Sequence, residues 1–179
     1  MTTLLGICGA LRAASTNRML LREAALHFAP DSYVEADIDL PLYNADVEAN
    51  GIPAKVTALA TQIAQADAVV ISTPEYNKAL SGVLKNALDW VSRTQPSPWR
   101  DKPVAIMSAA AGRGGGERAQ FSLRLCLNPF RAHVLAGPEM MLAASAEQFD
   151  AQGHLTSAHY SATLAELMAE LRKAASRAG

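Results

Sequence analysis

Residues 69–90, VVISTPEYNKALSGVLKNALDW, limit the possible folds of this chain more than any other stretch. Ala68, Val69, Val70 and Ile71 form an apolar run without alternation, as expected of a central strand covered on both faces of a parallel sheet. Pro74 has no N–H for a sheet ladder and biases Thr73 toward extended backbone, so the strand ends there. Glu75, Tyr76 and Asn77 then project from its carboxyl end, the edge at which open α/β sheets bind ligands. After Ser81, the residues Val83, Leu84, Ala87, Leu88 and Val91 fall on one helical stripe, with Lys85, Asn86 and Asp89 elsewhere on the surface. The unit reads strand, exposed loop, helix.

The rest of the chain repeats that unit. Thr3 to Cys8 reads as a first strand in which Gly6 and Gly9 signal close backbone approach. The loop Gly9 to Asn17 follows, then a helix marked by Leu20, Leu21, Ala24, Ala25 and Phe28 that Pro30 closes. Tyr33 to Ile38 alternates apolar and acidic residues, suiting an edge or half-covered strand, and Asp39 to Gly51 reads as an extended loop. A second helix carries Val56, Leu59, Ala60 and Ile63; Pro103 to Ser108 is the fourth strand; Phe121 to Asn128 belongs to a fourth helix. His133 to Leu135 opens a fifth strand, resuming at Glu139 to Leu142 after Gly137-Pro138. Tyr160, Leu164, Leu167, Met168 and Leu171 mark a terminal helix. Five strands alternating with five helices predict an α/β, three-layer, doubly wound parallel sheet of flavodoxin-like order 2-1-3-4-5. At 179 residues with no visible linker, one domain over 1–179 is the expectation.

Composition excludes several functions. A net charge of −1 with scattered basic residues gives no electrostatic reason to expect nucleic acid or an anionic membrane as partner. Cys8 and Cys126 are too few for a disulfide scaffold and read as small apolar residues, in keeping with a reducing cytoplasm. The start MTTLLGICGALR has neither the basic region of a signal peptide nor an apolar run long enough to span a bilayer. The four histidines lack metal-ligand spacing, so no metal site is expected.

Three loops leave the carboxyl edge of this sheet with complementary chemistry. The 9–17 loop offers Arg12, Ser15, Thr16 and Asn17 beside a helix N-terminus, donors that suit a phosphate and that equally serve as plain helix caps. It is neither GxxxxGK[ST] nor GxGxxG, which argues against a P-loop and a dinucleotide fingerprint. The 74–77 loop adds an aromatic ring. The glycine cluster from Gly112 to Gly116 permits either close ligand approach or simple flexibility. Together these loops suit a planar, phosphorylated ligand.

At the level of motifs the chain resembles the NADPH-dependent FMN reductase-like flavoproteins, which include FMN, quinone and chromate reductases and azoreductases. The marks are GALRAASTN at 9–17, similar to G-S-L-R-x-x-S-x-N, PLYNAD at 41–46, PEYN at 74–77, GVLKNALDW at 82–90, and the glycine loop before Arg118-Ala119-Gln120. PEYN followed by GVLKNALDW is the specific part. The resemblance implies FMN as cofactor and NADPH or NADH as co-substrate. It also implies ping-pong passage of electrons to a flavin, quinone or similar small-molecule acceptor, in a homodimer or homotetramer. Carried over position by position, Gly9, Leu11, Arg12, Ser15 and Asn17 border the FMN phosphate, Pro74, Glu75, Tyr76 and Asn77 border the ring, and Ser108 and Gly112 its other side. Trp90 and the 41–50 loop are candidate interface residues, with ordinary core or surface as the alternative. Ala10 departs from the family's usual serine, and Arg113 from the commoner glycine-loop forms. No side chain is assigned as catalytic, because a carboxylate such as Glu75 beside a strand-end loop is more often structural. A flavodoxin-like electron carrier and an FMN-binding regulatory module are the rival readings. Carriers are usually strongly acidic, whereas this chain is nearly neutral.

Overall fold

In the computed structural model, which describes residues 1–178, one parallel sheet carries helices on both faces. The elements in order are β1 (Thr3–Cys8), α1 (Thr16–Phe28), β2 (Ser32–Glu35), α2 (Ala45–Ala49), α3 (Ala54–Gln65), β3 (Ala68–Thr73) and α4 (Gly82–Val91). They continue with β4 (Pro103–Ala109), α5 (Glu117–Leu127), β5 (His133–Val134), β6 (Met140–Leu142) and α6 (Ala158–Ala178). The strand order is β2-β1-β3-β4-β5, with β6 also pairing β4, and every pairing is parallel. This is the doubly wound, flavodoxin-like order expected above.

Side-chain parity explains why the central strands are apolar throughout. Successive residues of a strand face opposite sides of the sheet. Leu4, Val70, Ala105 and Met107 enter the core beneath α1 and α6, while Leu5, Ile7, Val69, Ile71, Val104 and Ile106 enter the core beneath α3, α4 and α5. Both faces of β3 are dry, and all six of its residues are buried.

One expectation needs correction and two are made definite. The fifth strand is interrupted as expected: β5 pairs with Pro103 and Val104, the Leu135 N–H still donates to the Val104 carbonyl at 2.9 Å, and after a break at Gly137-Pro138 β6 pairs with Met107 to Ala109. The 39–51 stretch is not all loop, because Asn44 accepts a hydrogen bond from the Asp46 N–H at 2.8 Å and caps the one-turn helix α2. Trp90 is fully buried, its Nε1 donating to the Pro41 carbonyl at 2.7 Å, so it offers a partner no surface.

Both glycines read as close-approach sites are confirmed. A Cβ on Gly6 would collide with the Tyr33 hydroxyl, and one on Gly9 would lie 3.1 Å from the Thr73 Cα. Among the described residues no helix is long and apolar enough to cross a membrane, and no group of three or more His, Cys, Asp or Glu is placed to hold a metal ion.

Away from the carboxyl edge, a hairpin closed by the Phe149–Leu155 bridge lies against α1, where His154 Nδ1 stands 2.7 Å from the carboxylate of the buried Glu23. That hydrogen bond, and secondarily the charges of Glu23 and Asp150, hold the His154 pKa above its ordinary value. A folded pKa raised above the unfolded one gives stability that is fully present below the unfolded value, about 6.5, and is lost as pH rises through the folded value. The stability difference between the parent and His154→Gln is therefore larger in mild acid than in mild alkali, as denaturant unfolding at the two pH values would report. Glu23→Gln brings the His154 ring titration, followed by NMR, back toward the ordinary value; a ring that titrates unchanged would remove Glu23 as the cause.

Candidate functional site

Sheet register brings three loops together. Cys8 pairs with Ser72 and Thr73 with Ser108, so β1, β3 and β4 end level with one another, their neighbours about 5 Å apart. The loops at 9–15, 74–81 and 110–116 leave from these three ends. Between β1 and β3 the connections diverge to opposite sides, which opens the crevice that α/β sheets use for ligands.

The 9–15 loop is a cradle of unpaired backbone donors. The N–H groups of Leu11, Arg12, Ala13, Ala14, Thr16 and Asn17 donate to no other backbone group, and Ser15, the N-cap of α1, makes no side-chain capping bond. A helix N-terminus with free N–H groups and an exposed guanidinium at Arg12 fits a phosphate dianion. Leu11 is also exposed. Ala10, where the family's serine is missing, is only 8% exposed and packs into the core with Cys8 and Leu20, so backbone donors dominate the cradle. Burial pushes the Cys8 thiol pKa up, keeping it protonated and apolar in behaviour.

Three assigned polar side chains are buried: Ser15 at 3% exposure, Asn17 and Ser108. Asn17 is 2% exposed; its Oδ1 accepts from the Ser72 hydroxyl at 2.8 Å and the Ala109 N–H at 3.0 Å, and its Nδ2 donates to the Ala109 carbonyl at 2.9 Å. It clamps the first turn of α1 onto β3 and β4, so only its backbone N–H faces the cradle. Ser108 is fully buried, donating to the Gly115 carbonyl at 2.6 Å and accepting from Gln120 Nε2 at 2.9 Å. It anchors the glycine loop and does not line the crevice. Gly112, by contrast, sits on the open part of that loop, with nothing within 4 Å of an added Cβ.

The 74–77 segment is built as a turn. Tyr76 and Ala79 exchange reciprocal backbone hydrogen bonds, both 3.1 Å, across Asn77 and Lys78 at φ 50° and 67°. Two central residues at positive φ make a type I′ turn, which asparagine tolerates and lysine does not favour. The turn leaves Tyr76 59% exposed, an aromatic face standing at the crevice, behind buried Pro74. Glu75 turns the other way. Its Oε2 accepts from the Arg118 and Ala119 N–H groups at 3.0 and 3.3 Å and so caps α5 from outside the helix. Residue types alone missed this cap and the Gln120 anchor, because each is made across 12 or more residues of sequence.

A doubly wound sheet whose switch point carries free backbone N–H groups, an exposed aromatic turn and an open glycine loop is a flavodoxin-like architecture. The sequence profile of the NADPH-dependent FMN reductases matches residues 2–147, and the chain belongs to that family. It is an oxidoreductase whose cofactor is FMN. An NAD(P)H-dependent FMN reductase of Pseudomonas aeruginosa is 48% identical over 153 residues, covering 84% of this chain and 83% of that one. A quinone reductase of Escherichia coli is 44% identical over 151 residues, 82% of this chain and 80% of that one. Among solved structures, the flavoenzyme NAD(P)H:(acceptor) oxidoreductase FerB of Paracoccus denitrificans superposes with a TM-score of 0.90 at 29% identity, covering both chains fully.

Proposed function

We propose that residues 1–179 form one FMN-binding domain that moves electrons from NADPH or NADH to a quinone, a flavin or a similar planar acceptor, the two substrates alternating at one face in ping-pong order. Bound FMN supplies the chemistry, accepting two electrons from the nicotinamide and releasing them to the acceptor. The chain's own work is to fix the phosphate at 11–17, stand Tyr76 beside the ring, and leave the crevice open so that both substrates reach it. The observation that carries this reading is the level ending of β1, β3 and β4, which sets the cradle, the aromatic turn and the glycine loop around one crevice. The relatives' names supply the quinone. The test is the absorption spectrum of the purified protein followed by steady-state turnover of NADPH with a benzoquinone. Flavin bands without turnover would favour an electron carrier or a regulatory module instead.

Leu42, Tyr43 and Val47, in and just before α2, are exposed at 82%, 38% and 38%, and these apolar side chains support a homodimer or homotetramer, measurable by light scattering. We also place the protein in the cytoplasm, where Cys8 and Cys126, both free thiols, stay reduced.

No general acid is needed from Glu75, whose carboxylate is committed to α5. FMN-loaded Glu75→Gln is expected to be reduced by NADPH within about tenfold of the parent rate, roughly 1.4 kcal/mol in the barrier. A catalytic acid would cost about a hundredfold to ten-thousandfold. Anaerobic rapid mixing separates the two, and a thousandfold slowing with FMN still bound would make Glu75 catalytic.

A further inference from the structure

The glycine loop has two unlike halves. Gly115 and Gly116 are buried at φ 57° and 92°, where an added Cβ would lie 2.5 Å from the Met141 carbonyl oxygen and 2.7 Å from the Ser108 Cβ. The Ser108 hydroxyl holds the Gly115 carbonyl, so this half is fixed to β4 and β6. Gly112 and Gly114 touch nothing on their Cβ side, and Arg113 stands between them, exposed. The loop thus presents one guanidinium from an open tip on an anchored base.

Arg113 is not alone at this edge. Arg12, Lys78 and Arg118 are exposed on the neighbouring loops and the first turn of α5. Among the described residues none of these four cations makes an ion pair, as also holds for Arg100 and Arg131 elsewhere, and what sets the four apart is that they share the carboxyl edge of the sheet. The Glu75 carboxylate is taken by the α5 N–H groups, which leaves Glu117, exposed on the same turn as Arg118, as the nearby counter-charge. The phosphate of FMN uses the cradle and Arg12 on the first loop. Cationic capacity remains on the other two loops for a second anion. NADPH and NADH differ by one phosphate on the adenosine ribose, a dianion that guanidinium groups bind in bidentate fashion.

We propose that Arg113, carried on the open half of the glycine loop that leads into α5, binds the 2′-phosphate of NADPH and sets the preference for NADPH over NADH. The inference rests on the reductase reading above and names which nicotinamide cofactor that site takes. Its first test does not depend on turnover. Calorimetric titration of FMN-loaded protein with adenosine 2′,5′-bisphosphate and with 5′-AMP is expected to show the bisphosphate binding about tenfold or more tightly, the worth of one charge-assisted contact. Arg113→Gln reduces that margin to about twofold, and Arg113→Lys keeps an intermediate margin because charge survives without the fork. Equal binding of the two nucleotides by the parent, or an undiminished margin in Arg113→Gln, overturns the proposal. In the kinetic arm, the ratio of kcat/KM for NADPH to that for NADH falls about tenfold in Arg113→Gln. An equal fall with both cofactors means that Arg113 contributes only a general field, and likewise overturns it. A parent that selects the bisphosphate yet turns over neither cofactor supports the phosphate site while removing the reductase reading, so the two failures are distinguishable.

Discussion

Asn17→Ala is expected to destabilise the protein by roughly 2–4 kcal/mol, the largest effect of any single polar substitution around the site. The side chain is 2% exposed and makes three hydrogen bonds to groups that have no access to water. Truncation strands the Ala109 N–H, the Ala109 carbonyl and the Ser72 hydroxyl together. Each buried orphan costs about 1–3 kcal/mol, and the total stays below the sum because the small void can admit water. Asn17→Asp is a sharper control, since it keeps an acceptor for Ser72 and the Ala109 N–H but sets a carboxylate oxygen against the Ala109 carbonyl. Both variants lose stability in urea unfolding, and FMN affinity falls with it, because the first turn of α1 is no longer clamped beside β3 and β4. A loss under about 0.5 kcal/mol in Asn17→Ala would show that the clamp contributes little.

Where sequence reading succeeded, local pattern and global fold agreed. The run Val69 to Ile71 could only be a doubly covered strand, Pro74 had to end it, and Ser81 with the stripe from Val83 to Val91 had to start a helix. Ser81 does cap α4, its hydroxyl accepting from the Leu84 N–H at 3.3 Å. The failures share a different cause. α2 is five residues with none buried, so it has no apolar period to read. β5 and β6, two and three residues long, break at Gly137-Pro138 as expected, but their shortness, and their dependence on the edge that β4 offers, are not legible in their own residues.

The site was legible by loop and not by side chain. Residue type says that Ser15, Thr16 and Asn17 carry donors, but not which way those donors turn. In the fold Ser15 is buried without capping α1, the Thr16 hydroxyl lies 3.1 Å from that of Ser145, and Asn17 points into the core. Likewise Glu75 and Tyr76 are neighbours, yet one caps α5 and the other faces the crevice. The motifs PLYNAD and GVLKNALDW, some 40 residues apart, prove to be one physical unit. The Pro41 carbonyl accepts from Asn86 Nδ2 at 2.9 Å and from Trp90 Nε1 at 2.7 Å, while Asn86 Oδ1 accepts from the Tyr43 N–H at 2.8 Å. Tyr43 then meets the Trp90 ring edge-on at 5.1 Å. A change in either motif alone would leave polar groups of the other unpaired, a physical reason for the two to occur together.

The phosphate cradle makes the second large prediction. Arg12→Ala is expected to weaken FMN by roughly 1.5–3 kcal/mol, the usual worth of a hydrogen bond to a charged group, or about ten- to a hundred-and-fifty-fold in Kd. Riboflavin lacks the phosphate, so it should bind the parent far more weakly than FMN and should bind Arg12→Ala almost as it binds the parent. The contrast isolates the guanidinium, because Arg12 is exposed on the loop and its removal disturbs no buried contact. The effect does not reach the full strength of a phosphate site, since the free N–H groups of Leu11, Ala13, Ala14, Thr16 and Asn17 remain and the α1 dipole still favours the dianion. Fluorescence titration of the apoprotein with each flavin measures all four affinities. Equal affinity of the parent for FMN and riboflavin would remove the phosphate from the 9–17 loop altogether. A parallel loss of both flavins in Arg12→Ala would mean that this arginine supports the ring or the fold instead of reading charge.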